Sequence, residues 1–243
     1  VRLIALLFGL LPLLALAQPK IAVIVDDIGY NKHDSQALML PDAVTLSVLP
    51  HTPYGAALAA RARQPVMLHL PMEPLSTRQP LEAGTLTVQQ DEQQMATILD
   101  SALKAVPEAK GVNNHMGSML TEDRQRMDWL MALLAGRHLY FVDSRTTAKS
   151  QALAAAEAAG VPAVARNVFL DNSARDLQHQ WQRALRLAKR DGQVVVIAHP
   201  HATTLAFLRQ ALTDLHGADL VPVSALMPKV RVATSGKITP NRG

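Results

Sequence analysis

The chain alternates short runs of β-branched and aliphatic residues with longer segments in which apolar residues recur every three or four positions. That alternation restricts the fold more than any other feature. A strand, an amphipathic helix and a second strand close most readily as a right-handed parallel βα unit. The strand candidates are residues 21–25, 44–49, 66–70, 111–114, 139–142, 164–169, 194–198 and 220–223. The helix candidates are 91–106, 122–135, 151–159, 174–190 and 203–215, and Thr121 before Glu122 and Asp123 supplies an N-cap with acids in the first turn. Seven or eight strands in a chain of 243 residues, 49% of them hydrophobic, predict one α/β domain, a deformed (β/α) barrel with about seven mostly parallel strands. Residues 71–84, with Pro71, Pro74, Pro80 and Gly84, break the alternation and read as a long loop near the functional end of the sheet.

The ends of the chain read differently from its middle. Residues 1–17 place Arg2 before an apolar run and close on Ala15-Leu16-Ala17, the small-x-small pattern of a signal-peptidase site. The expectation is a secretory signal cut after Ala17, a domain over 18–227, a flexible basic tail over 228–243, and a periplasmic or secreted product. The run 3–17 contains Gly9 and Pro12 and is shorter than the ~20 residues of a spanning helix, although a retained anchor shares this composition. No later apolar run is long enough to span a bilayer, so no transmembrane helix is expected after signal cleavage. The net charge of +4 is matched by Lys229, Arg231, Lys237 and Arg242 in a tail without acids. The charge therefore marks a tail rather than a nucleic-acid-binding face, and no nucleic-acid partner is expected.

Polar residues that carry chemistry fall at strand C-terminal ends. Asp26-Asp27 follow 21–25, and His69 lies in 66–70 with Glu73 beyond it. Asn113-Asn114-His115 end 111–114, with Ser118 close behind. Asp143-Ser144-Arg145 follow 139–142, and His199-Pro200-His201 follow 194–198. Loops converge at that edge of a parallel sheet, and sites are built there. An Asp, two His and a neighbouring carboxylate make the ligand set of a zinc-type site with an open position for water, and a second Asp beside it is placed to take the water's proton. His33, His51, His138, His179 and His216 fall in loops or on helices away from these ends. The chain has no cysteine, which excludes disulfides, thiolate metal sites and thiol nucleophiles. No G-x-S-x-G, P-loop or G-x-G-x-x-G occurs, so serine-hydrolase and nucleotide readings lack their anchors, and the hydroxyls of Ser118 and Ser144 read more simply as helix caps than as nucleophiles.

In order, IAVIVDDIG, VMLHLPMEP, GVNNHMGS, FVDSRT and VVVIAHPH resemble the divergent polysaccharide deacetylase family of the carbohydrate esterase superfamily, over roughly residues 19–226. The resemblance implies a deformed (β/α) barrel and metal-dependent hydrolysis of acetyl groups on a cell-envelope glycan, with zinc the expected divalent metal. By that resemblance Asp26 looks like the general base, Asp27 like the first metal ligand and His69 like the second. The superfamily places its next histidine four residues on, where this chain has Glu73, and His115 is expected to supply the missing ligand. His199 resembles the histidine that protonates the leaving group. Glu73, Asn113, Asn114, Ser118, Asp143, Ser144, Arg145 and His201 share the rim and are expected to contact substrate. Glu73 leaves a second reading open, a catalytically inactive module that binds a glycan or another cell-envelope protein. A third is a glycosidase using Asp26 and Glu73 as its two carboxylates. Trp129 and Trp181, both on helix candidates, offer no sugar-stacking platform, so the sequence does not name the glycan.

Overall fold

A computed structural model of the chain describes residues 18–76, 80–172 and 174–228. The expected signal segment 1–17, and all of the expected tail except Pro228, lie outside the described residues. Among the described residues nine strands form one sheet: β1 (Lys20–Ile28), β2 (Thr45–Val48), β3 (Val66–Met72), β4 (Gly111–Met116), β5 (Tyr140–Asp143), β6 (Ala163–Ala165), β7 (Val168–Phe169), β8 (Gln193–Ala198) and β9 (Asp219–Leu220). The helices are α1 (Gly55–Ala59), α2 (Glu92–Ala105), α3 (Arg124–Ala135), α4 (Ala152–Ala159), α5 (Leu177–Asp191) and α6 (Ala202–Thr213). The strand order is β6-β5-β4-β3-β2-β1-β8-β7, with β9 beside β1, and every pairing is parallel. None of the helices among the described residues is long and apolar enough to cross a membrane.

The run expected as one strand over 164–169 is two. Its first part pairs with β5, Phe141 opposite Ala163, and its second with β8, Val168 opposite Val196. Only Arg166 and Asn167 separate two strands that hold opposite edges of the sheet. Arg166 N–H donates to the Asp143 carbonyl, and Asn167 exchanges two bonds with Val195, its N–H donating to the carbonyl and its Oδ1 accepting from the N–H. The segment is thus a single stave that joins the two edges of the sheet covalently, and counting it once leaves eight staves, or the expected seven without the two-residue β9 beside β1. The candidate over 220–223 is shortened to β9, because Val223–Leu226 turn into a 3₁₀ helix that plugs the barrel's lower end. Thr121 does not cap α3. Its hydroxyl donates to the Gly117 carbonyl at 2.7 Å, and Asp123 caps instead, accepting from Arg126 N–H.

Side-chain alternation along the strands separates two faces. Ile21, Val23 and Val25 of β1, Val66, Leu68 and Leu70 of β3, and Val194 and Val196 of β8 join the helices in the main core. Ala22, Ile24, Met67, Tyr140, Val142, Val195 and Ile197 form the barrel interior, closed by Val223 and Leu226. Continuing the inward series of β1, β3, β5 and β8 by two residues toward the strand C-terminus gives Asp26, His69, Ser144 and His199, and Ser47 of β2 and Asn113 of β4 are hydrogen-bonded among them. The interior is apolar below and polar at its mouth.

Candidate active site

In a regular strand Asp26 and Asp27 would face opposite ways. Here the β1–β2 register slips between Val25 and Ile28, and Asp27 takes φ 58°, so β1 bulges at the dipeptide. Asp26 stays inward, 2% exposed, while Asp27 swings over the mouth. Met116 (φ 51°) and Arg145 (φ 48°) take the same left-handed conformation at the ends of β4 and β5. Strained backbone at three strand ends around one cleft is the pattern expected of a functional site.

Asp27 Oδ1 lies 3.0 Å from His69 Nε2 and 2.9 Å from His115 Nδ1, and the two ring nitrogens are 3.1 Å apart. Three such donor atoms on a near-equilateral triangle have the spacing of ligands around an ion held at roughly 2.0–2.2 Å. Asn113 fixes the chemistry of one corner. Its Nδ2 donates to Asp26 Oδ1 at 2.8 Å, which turns its Oδ1 toward Ser47 Oγ–H (2.6 Å) and His69 Nδ1 (2.8 Å). An amide oxygen only accepts, so Nδ1 of His69 carries a proton and Nε2 is the nitrogen left to face Asp27 and His115, donating a proton to Asp27 in the metal-free cluster and free to give its lone pair to an ion that displaces that proton. The donor set of one carboxylate and two imidazoles, with a tautomer fixed from behind, fits a divalent transition metal.

Electrostatics separate the two aspartates. Burial raises the Asp26 carboxyl above its usual range, an effect that His69 and the Asn113 amide only partly offset. Burial acts the same way on Asp27, but hydrogen bonds and charge from His115 and His69 outweigh it and hold that carboxyl well below the usual range. One aspartate is tuned toward accepting a proton and the other toward remaining an anion. Burial would lower His69, yet the charges of Asp26 and Asp27 raise it to about 9, so in the absence of a metal ion a proton holds the cluster together.

Across the mouth, His199 Nδ1 meets Asp171 Oδ1 at 2.9 Å, and Asp171 Oδ2 accepts from His199 N–H (2.8 Å) and the Thr204 hydroxyl (3.0 Å). His199 Nε2 is turned toward Asp27 Oδ2, 4.0 Å away. The ring stacks on Phe169 with centroids 5.9 Å apart, and the Arg166 guanidinium lies over the Phe169 ring, 3.6 Å from its centroid. Burial pulls His199 down, but the hydrogen bond and charge of Asp171, with Asp27 and Asp26, keep it above its ordinary value. The cleft above these groups encloses about 430 Å³ between Tyr30, Glu82, Met116 and His199.

The structure brings Asp26, Asp27, His69, Asn113, His115, Ser144 and His199 together, and sets the other expected residues around them. Glu73 is turned away. Its Oε2 accepts from Val88 N–H at 2.8 Å, and its carbonyl takes the N–H groups of Met119 and Leu120. Asn114 points outward from β4 and ties the rim, accepting from Ser144 N–H and donating to the Met116 carbonyl. Ser118 Oγ accepts from Leu75 N–H, and Asp143 accepts from Arg145 N–H within the turn that leaves Arg145 exposed. His201 is exposed beside His199, with centroids 6.0 Å apart. Asp171 escaped the sequence reading although it follows the candidate strand 164–169, where the rule applied to the other strands would have found it. Ser47 was legible only from its inward parity on β2.

A family model described as divergent polysaccharide deacetylase matches residues 23–227. The chain is 40% identical to the uncharacterized protein YibQ of Escherichia coli K12 over 234 residues, covering 92% of this chain and 73% of the relative. It is 36% identical to an uncharacterized protein of Haemophilus influenzae over 205 residues, covering 82% and 73%. The crystal structure of uncharacterized protein ATU2773 from Agrobacterium tumefaciens C58 superposes with a TM-score of 0.82 at 22% identity, over 87% of this chain and 90% of that one, which is a likeness of fold.

Proposed function

For a chain that belongs to the divergent polysaccharide deacetylase family, we propose an exported hydrolase that removes acetyl groups from a cell-envelope glycan, using a divalent metal, zinc by its donor set, held by Asp27, His69 and His115. The observation that carries this reading is the triangle of Asp27 Oδ1, His69 Nε2 and His115 Nδ1 with sides of 2.9–3.1 Å, set between a buried Asp26 and an Asp171-oriented His199. Asp27, His69 and His115 would hold the ion, whose chemistry there would be to lower the pKa of a water and to polarise the acetyl carbonyl.

The chain's own residues supply the proton transfers. Asp26, raised by burial, takes the proton from the attacking water. Asn113 keeps one Asp26 oxygen engaged and His69 in its ligating tautomer. His199, held above its ordinary value by Asp171, keeps a proton at Nε2 and passes it to the departing amine or alkoxide, so acetate and the free glycan group leave. Tyr30, Glu82 and Met116 border the space where the sugar lies. The family and the barrel support this class of substrate, and the signal-like segment 1–17 motivates the export.

The test is release of acetate from an acetylated glycan by metal-loaded protein. Acetate that disappears in Asp26→Asn supports the hydrolase. Saturable glycan binding without acetate, unchanged in Asp26→Asn, replaces it with a binding module, and shortened sugar chains without acetate replace it with a glycosidase.

A further inference from the structure

Beside the triangle lies a second group of metal-ligating side chains. One ligand atom each from Asp171, His199 and His201 fall within 4.8 Å of one another. Two are in place, since Asp171 Oδ1 and His199 Nδ1 stand 2.9 Å apart, and the second Asp171 oxygen is anchored by His199 N–H and Thr204 so that the carboxylate cannot turn away. The third is free to move. His201 starts α6 without capping it, and its exposed ring has no hydrogen-bond partner among the described residues. The ring opens both onto the cleft shared with Tyr30 and Glu82 and onto a hollow lined by Asn31, His33 and Asp34, so an ion reaches it from solvent.

We propose that Asp171, His199 and His201 form a second site for a zinc-type ion, weaker than the triangle, whose occupation switches the first site off. A carboxylate and two imidazoles again match the ligand preferences of such an ion, with water completing the shell. Binding exchanges one proton of the Asp171–His199 pair for the ion and needs only a side-chain rotation at His201. A His199 ring that gives a nitrogen to the ion is no longer the doubly protonated acid that the leaving group requires. The second site is the weaker because its third ligand must be ordered on binding, at a cost in side-chain entropy that the preset triangle does not meet.

Equilibrium dialysis of the full chain against zinc chloride counts ions per chain. The expected result is two, one tight and one weaker. Asp27→Ala keeps only the weaker ion, and His201→Ala and His201→Gln keep only the tight one, with circular dichroism reporting that the exposed substitution leaves the fold intact. A wild-type count that never exceeds one, or an unchanged count in His201→Ala, overturns the second site. The inhibitory role rests on the hydrolase reading and has its own arm: acetate release rises with the first equivalent of zinc and falls with the second, and the half-inhibiting concentration climbs at least about tenfold in His201→Ala. Absence of acetate at every zinc concentration overturns the hydrolase and leaves the ion count to judge the second site.

Discussion

Asp26 and Asp27, adjacent in the chain, bond to opposite sides of one imidazole's surroundings: Asp26 to the Asn113 amide that holds His69 Nδ1, Asp27 to His69 Nε2 itself. The β1 bulge makes this possible, and the two carboxyls acquire opposite acidities although their covalent structure is identical. Their substitution should separate binding from turnover.

Asp26→Asn should retain the zinc content of the wild-type protein and lose acetate release by ~10²–10⁴-fold, the range of a missing general base. Asp27→Ala should lose the tight ion outright. Metal analysis beside an acetate assay checks both, and an Asp26→Asn protein without the tight ion would make Asp26 a ligand.

Asn113→Leu should be the most destabilising change at the mouth. It strands the Ser47 hydroxyl, His69 Nδ1 and one Asp26 oxygen, all buried, at about 1–3 kcal/mol for each unsatisfied group. Urea unfolding measures the loss, which Asn113→Ser should share only in part because a hydroxyl still serves one partner.

Zinc binding should release close to one proton per tight ion near neutral pH. His69 titrates at about 9 without metal, so the ion displaces a proton, and affinity should climb about tenfold per pH unit until that value and then level off. Calorimetry in buffers of different ionisation enthalpy counts the proton. The same shift links to stability: a folded-state value above the unfolded 6.5 contributes fully below pH 6.5 and is lost as pH rises through about 9. Metal-free protein should therefore melt at falling temperature from pH 7 to 9.

Asp171→Asn should lower the alkaline limb of the pH–rate profile. In the proposed hydrolysis His199 is the protonated acid, burial already works against its charge, and Asp171 is the main partner opposing that burial. Without the carboxylate charge the ring deprotonates at lower pH, so activity falls off earlier while zinc content at the triangle stays as in the wild type.

Glu73→Gln should keep the wild-type metal content, since the Glu73 carboxylate serves Val88 N–H rather than the cluster, and an amide oxygen can still accept that bond. A loss of the tight ion in this variant would return Glu73 to the ligand set.

The barrel and its polar rim were legible because both follow from local periodicity: Asp26 and His199 come directly after their strand runs, and His69 and Asn113 fall at the last positions but one of theirs. What escaped depends on contacts distant in sequence. The run 164–169 carries no local mark saying that Ala163 will find Phe141 while Val168 finds Val196. Asp171 follows Phe169, where the run was expected to end, and was open to the strand-end rule that found the other site residues. Glu73 sits one residue past β3, where the bond to Val88, fifteen residues on, decides its direction. Thr121 has a good cap composition, but Gly117 lies one turn back and captures its hydroxyl.

The strand that carries both aspartates is bonded on both sides, by β2 and, through Ile24 opposite Ile197, by β8 near the far end of the domain. As the chain emerges from a ribosome, β1 is the first strand of this domain to appear and one of its partners is among the last. Its apolar Ile21–Val25 run must remain unpaired along one flank until residues 193–198 arrive, which makes ring closure a late, non-local and slow event. A chain halted before Gln193 lacks the partner for that flank altogether.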